Sequence, residues 1–171
     1  MSLCQPHPDS ELMIVNCAVI TISDTRTVET DRSGQLIQKM LTENYHKIAE
    51  YVIIRDDPEL IANQLKTFAN INELDAMICN GGTGIAPRDT TYDALAGILE
   101  KTLPGFGEIF RHLSYQEIGS RAIASRAIAG VYQGKLIFSL PGSSNAVKLG
   151  LEKLILPELV HLVQQLNQGK K

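Results

Sequence analysis

Ala76-Met77-Ile78-Cys79-Asn80-Gly81-Gly82-Thr83-Gly84-Ile85-Ala86-Pro87-Arg88-Asp89-Thr90-Thr91 runs from a short apolar stretch into a helical pattern, Tyr92-Asp93-Ala94-Leu95-Ala96-Gly97-Ile98-Leu99. The order reads as strand, glycine-rich loop, helix. Gly81, Gly82 and Gly84 have no Cβ, so a ligand can approach the backbone closely and positive φ is tolerated. Thr90 and Asp93 have the capping-box spacing, which would aim free N–H groups back at the loop. The expectation is a small anion cradle with Arg88 and Asp89 beside it.

The flanking sequence repeats that design. Met13 to Ile22 is a nearly continuous apolar run rich in β-branched residues, as in a strand covered on both faces. It breaks at Ser23-Asp24-Thr25-Arg26, at the strand edge where ligands sit in open α/β sheets. A helix with Leu36, Ile37, Met40 and Leu41 on one face follows Asp31-Arg32-Ser33-Gly34. Ile48 to Ile54 returns as a strand and ends in Arg55-Asp56-Asp57-Pro58, where Asp57 suits an N-cap and Pro58 a first helical turn. Leu60, Ile61, Leu65 and Phe68 mark the second helix. This β-α-β-α-β-α pattern predicts an α/β fold, a mostly parallel sheet with right-handed crossovers and helices on both faces.

Beyond the loop, Leu103 to Glu108 reads as a turn and Ile109, Phe110 and Leu113 as the start of a helix. Ser120 to Arg126 is rich in small residues. Ala129 to Tyr132, the turn signal Gln133-Gly134, and Leu136 to Leu140 read as a short antiparallel hairpin. Pro141-Gly142-Ser143-Ser144-Asn145 then opens a helix from about Ala146, and Pro157 starts a final helix with Leu159, Val160, Val163 and Leu166 on its apolar side.

A chain of 171 residues suits one α/β domain, placed at residues 12–171 behind a polar, disordered tail at 1–11. A net charge of −3 argues against tracking the phosphates of DNA or RNA. No apolar run approaches the roughly 20 residues that span a bilayer, so no membrane role and a cytoplasmic location are expected. Cys4, Cys17 and Cys79 show no metal spacing, and an odd count argues against a disulfide framework; Cys17 and Cys79 are expected as buried free thiols.

Two strand-to-helix loops of one design, Gly81 to Asp89 and Pro141 to Asn145, offer two sets of backbone donors to a substrate with several phosphates. Asp56 and Asp89 follow strands on the same edge. Carboxylates beside anion loops repel phosphate unless a divalent cation lies between them, which suggests Mg²⁺ and phosphoryl or nucleotidyl transfer. Plainer readings exist for each: Asp56 as a helix-start acid, Arg88 and Asp89 as a surface pair, Ser143 and Ser144 as N-caps. No lysine follows the glycines as a P-loop needs. G-x-G-x-x-G breaks at Pro87, and Gly142-Ser143-Ser144-Asn145 lacks the G-x-S-x-G elbow.

The ordered set Asn80 to Gly84 with Pro87-Arg88-Asp89-Thr90-Thr91, Pro104-Gly105-Phe106-Gly107-Glu108, Ser125-Arg126-Ala127-Ile128-Ala129-Gly130, and Leu140-Pro141-Gly142-Ser143 through Asn145-Ala146-Val147 resembles the MoaB/Mog family of molybdenum cofactor biosynthesis. The resemblance spans about Val15 to Leu162, and Phe110 to Gly119 leans toward the MoaB branch. It implies a three-layer α/β/α sandwich that assembles as a trimer or dimer of trimers, works with other proteins of that pathway, and binds molybdopterin. Active members adenylylate molybdopterin with Mg-ATP and release pyrophosphate, without a tightly bound prosthetic group. It also implies that Asp56 and Asp89 are catalytic and hold Mg²⁺. Gly81, Gly82, Thr83, Gly84, Arg88 and Thr90, with Ser23 and Asp24, would bind substrate, and Ser125, Arg126, Pro141, Gly142, Ser143 and Ser144 would complete the pocket. Tyr92 stands where the family usually has proline, and Ser144 where many members have a second one. A non-catalytic pterin-binding scaffold is the alternative, and a CinA-like nucleotide-processing protein a more distant one.

Overall fold

The computed structural model describes residues 13–168, so the N-terminal segment 1–11 and Cys4 lie outside the described residues. Its elements are β1 (Asn16–Ile22), α1 (Arg32–Glu43), β2 (Lys47–Ile54), α2 (Pro58–Ala69), β3 (Ala76–Asn80), α3 (Thr91–Ile98), β4 (Lys101–Thr102), α4 (Pro104–Ile118), β5 (Ile128–Tyr132), β6 (Lys135–Leu140), α5 (Ser144–Gly150) and α6 (Leu156–Asn167). One sheet has the order β2-β1-β3-β6-β5-β4. β2, β1, β3 and β6 run parallel, β5 is antiparallel to β6, and the edge strand β4 is antiparallel to β5.

Alternate residues of the central strands feed two cores, which is what a run apolar on both faces requires. Val15, Cys17, Val19, Ala76, Ile78, Phe138 and Leu140 pack with α1, α4, α5 and α6. Ala18, Ile20, Ile22, Met77, Cys79 and Ile137 pack with α2 and α3. The fold is therefore a three-layer α/β/α sandwich. The chain leaves β1 over the α1 face and leaves β3 over the opposite, α3 face, so the loops after β1 and β3 diverge and open a crevice between them. Full burial pushes the Cys17 and Cys79 thiols up to about 12, and both are free.

Local signals explain several boundaries. Asp57 caps α2, accepting from the N–H groups of Glu59 and Leu60 at 2.9 and 3.0 Å, with Pro58 in the first turn. Gln133 and Gly134 both take positive φ in the hairpin turn. Two expectations need correction, and one short strand was not foreseen. Leu103 to Glu108 is not a turn, because Pro104 occupies the first turn of α4. A two-residue strand, β4, precedes it and is too short to carry a period. Pro157 does not start a separate helix: α5 continues through a wide π turn at Leu151–Ile155 into α6. Such widening accommodates a proline that lacks an N–H and crowds the preceding turn.

Ser139, on β6, is wholly buried and its hydroxyl has no hydrogen-bond partner among the described residues. Ser139→Ala should raise the unfolding free energy by about 1 kcal/mol, since an unsatisfied buried hydroxyl costs more than its packing returns. A urea titration reads this, and a midpoint lower than the parent's would refute it.

Candidate functional site

The C-terminal ends of β1, β2, β3 and β6 open onto one cleft of about 650 Å³, walled in addition by the 3₁₀ turn Gly119–Ala124 and Ser125. Its floor rests on a buried polar network. Asp31, fully buried, accepts from Thr21 Oγ1 at 2.5 Å, Tyr51 Oη at 2.7 Å and the Gly34 N–H at 2.9 Å; Asn80 Nδ2 donates to Thr21 at 2.9 Å. Burial, followed by the Asp31 carboxylate, pushes the Tyr51 phenol well above its ordinary range. The network ties together the β1 and β3 ends that flank the crevice, and Gly34 leaves it room, because a Cβ there would overlap the Asp31 carboxylate.

The two glycine loops meet. The Gly81 N–H donates to the Leu140 carbonyl at 3.0 Å, and a Cβ on Gly142 would lie 3.1 Å from Gly81 Cα. Gly81 and Gly82 have φ of +104° and +61°, which favour glycine over any L side chain. The N–H groups of Gly82, Thr83, Gly84 and Ile85 donate to nothing among the described residues. Ser143 caps α5, its Oγ accepting from the Ala146 N–H at 3.2 Å.

Asp56 is not the helix cap, a role that falls to Asp57. One of its oxygens accepts from the Thr90 N–H at 3.1 Å, Thr90 Oγ1 at 2.7 Å and Thr91 Oγ1 at 3.3 Å. Its other oxygen lies against Gly82, where a Cβ would overlap it. Asp24 accepts from the Asp56 N–H at 3.3 Å. Asp89 accepts from the Ala86 N–H at 3.1 Å and lies against Gly84. Oδ2 of Asp56 and Oδ1 of Asp89 keep no hydrogen bond among the described residues. Among these residues no cluster of three or more His, Cys, Asp or Glu could hold a metal alone. Two carboxylates with free oxygens beside loop N–H groups that have no acceptor among the described residues do fit Mg²⁺, which is commonly held by one or two carboxylates plus substrate phosphates.

Of the expected contacts, Ser23, Asp24, Asp56, Gly81, Gly82, Thr83, Gly84, Arg88, Asp89, Ser125, Pro141, Gly142 and Ser143 line the cleft. Thr90, Arg126 and Ser144 do not. The Thr90 hydroxyl is turned under the loop to Asp56, so the capping box with Asp93 does not form. Ser144 faces Ser33, 3.4 Å away, while Ser33 donates to the Gly142 carbonyl at 2.8 Å. Arg126 donates to the Thr83 and Gly84 carbonyls from outside the cleft. Arg26 and Arg121 line the cleft with Arg88, and sequence reasoning named neither as a site residue. The edge-loop argument that singled out Ser23 and Asp24 extends to Arg26; Arg121 is brought in only by the tertiary fold. Arg88 and Asp89 form no ion pair among the described residues.

A family model described as a probable molybdopterin binding domain matches residues 18–161. Molybdenum cofactor biosynthesis protein B of Halalkalibacterium halodurans is 54% identical over 163 residues, 95% of this chain and 96% of that protein. The protein of that name from Bacillus subtilis is 51% identical over 97% of this chain and 98% of its own length. A crystal structure of molybdenum cofactor biosynthesis protein B is 48% identical with a TM-score of 0.90, covering 93% of this chain and 99% of that one. The tungsten cofactor synthesizing protein MoaB from Pyrococcus furiosus is 36% identical with a TM-score of 0.81, covering 91% and 98%. On these matches, which run through both glycine loops and the cleft they form, the chain belongs to the MoaB/Mog family of molybdenum cofactor biosynthesis proteins.

Proposed function

We propose that the protein binds molybdopterin in this cleft and adenylylates it with Mg-ATP. A terminal phosphate oxygen of the pterin attacks the α-phosphorus of ATP; the new P–O bond forms as the bond to the bridging oxygen breaks, and pyrophosphate leaves. The observation that carries this reading is the meeting of two glycine loops with Asp56 and Asp89 against one of them and Arg26, Arg88 and Arg121 on the walls. Free backbone donors suit phosphate oxygens and hold them without the reorganisation that water would need. Arginines can take the charge of a triphosphate, and the two carboxylates orient it through whatever cation it carries. Mg²⁺ bound with ATP would supply neutralisation of the developing phosphate charge. We extend the reading to a cytoplasmic trimer or dimer of trimers that exchanges pterin with other proteins of the pathway.

A second reading, pterin binding without catalysis, is favoured by one observation: each aspartate already braces the loop through one oxygen. The discriminating experiment mixes the protein with molybdopterin and Mg-ATP and follows pyrophosphate and adenylylated pterin. Turnover supports the enzyme; tight pterin binding with no pyrophosphate leaves the scaffold.

A further inference from the structure

Three consecutive carbonyls of the glycine loop are taken up by residues that do not line the cleft. Gly82 accepts from the Thr91 N–H at 3.0 Å, Thr83 from Arg126 Nε at 2.8 Å, and Gly84 from Arg126 Nη2. A planar trans peptide points its N–H opposite to its C=O. Fixing those three carbonyls therefore fixes the N–H groups of Thr83, Gly84 and Ile85, which belong to the same peptide units, toward the opposite side. Neither Thr91 nor Arg126 lines the cleft, whereas Gly82, Thr83 and Gly84 do, so the side opposite the carbonyls faces the cleft.

Arg126 is itself held on two flanks. Both oxygens of Asp93 accept from Nη1 at 3.1 Å, and the guanidinium carbon stands 4.7 Å from the centre of the Tyr92 ring. The guanidinium presents its donors in a fixed fork geometry, and here each of its three nitrogens donates to the loop or to α3. Tyr92 thus has a task that a proline could not perform, offering a ring face to the cation.

We propose that Arg126 is a positioning residue rather than a substrate ligand: it turns the Gly84 and Ile85 N–H groups into the cleft, and Asp93 and Tyr92 hold it there. The inference rests on the cleft being an anion site. It differs from the direct pterin contact that the family resemblance implies for Arg126.

The test follows backbone and arginine side-chain N–H resonances of the ¹⁵N-labelled full chain on titration with inorganic pyrophosphate. In the parent, the Gly84 and Ile85 amides should shift while the Arg126 side-chain N–H resonances hold still. Arg126→Gln should weaken pyrophosphate binding roughly ten- to a hundredfold, the loss expected from one or two charge-assisted hydrogen bonds. At saturation its Gly84 and Ile85 amides should still fall short of the parent's bound positions, which mere destabilisation would not cause. Tyr92→Phe should keep the parent response and Tyr92→Ala should lose part of it. A large pyrophosphate shift on the Arg126 side chain, or Gly84 and Ile85 shifts unchanged in Arg126→Gln, would overturn the proposal while leaving the anion site intact. A parent chain in which neither glycine loop responds overturns the anion site and the proposal together.

Discussion

An Asp56→Asn chain is expected to fold, to keep most of its thermal stability, and to adenylylate molybdopterin about 10²- to 10³-fold more slowly, the range for removing one preorganised charge-stabilising group. The two oxygens of Asp56 do different jobs. Oδ1 collects two donors from Thr90 and a longer one from Thr91, and an asparagine carbonyl, with two lone pairs, can keep the two from Thr90. Oδ2 lies against Gly82 at the cleft, where the asparagine NH₂ would bring donors and no charge. A carboxylate that helps seat a cation on phosphate loses that ability entirely. Asp56→Ala removes both jobs and should add a fall in stability, as three donors lose their acceptor. Initial rates from pyrophosphate release, read beside thermal melts, separate the two effects. An Asp56→Asn rate within threefold of the parent would end the assignment of Asp56 to the chemistry.

Chain-local signals were read well where one residue settles the geometry. Asp57-Pro58 names a helix start by itself, and Gln133-Gly134 a hairpin turn. Strands β1 and β3 were legible because burial on both faces leaves an unbroken apolar run. The failure of the capping box has a tertiary cause: side chains with a good local partner were claimed by distant ones. Thr90 and Asp93 have capping-box spacing, yet Asp56 takes the Thr90 hydroxyl and Arg126 takes Asp93. Arg126 follows Ser125, which lines the cleft, and spacing alone cannot say that the two side chains face opposite sides of the loop. Pro157 looked like a boundary because sequence does not reveal a π turn upstream that absorbs it. Arg121 lies on a short 3₁₀ turn with no periodicity to mark its direction.

The second large effect concerns Gly81, where three parallel strands converge. Its φ of +104° is strained for an L residue, and a Cβ would overlap the Ile22 carbonyl oxygen, a backbone atom at the end of β1. Ser23, immediately after Ile22, is tied to Ile54 of β2 by its N–H at 2.8 Å, and Gly81 is tied to Leu140 of β6 at 3.0 Å. Neither neighbour can yield without breaking a bond between strands. Gly81→Ala should therefore cost about 3–5 kcal/mol, combining the conformational penalty with the overlap. At roughly 2–4 °C per kcal/mol for a chain of this size, the melting temperature falls by about 6–20 °C. Gly97 makes the internal comparison. It lies within α3, and a Cβ there would meet nothing within 4 Å. Gly97→Ala should stabilise by about 0.5–1 kcal/mol through reduced freedom of the unfolded chain and better helix propensity. Opposite signs for two glycines 16 positions apart test the geometry directly in one pair of melts. If Gly81→Ala melts within a few degrees of the parent, the close approach of the β1 and β3 ends is wrong. The cleft between them would then have to be built differently.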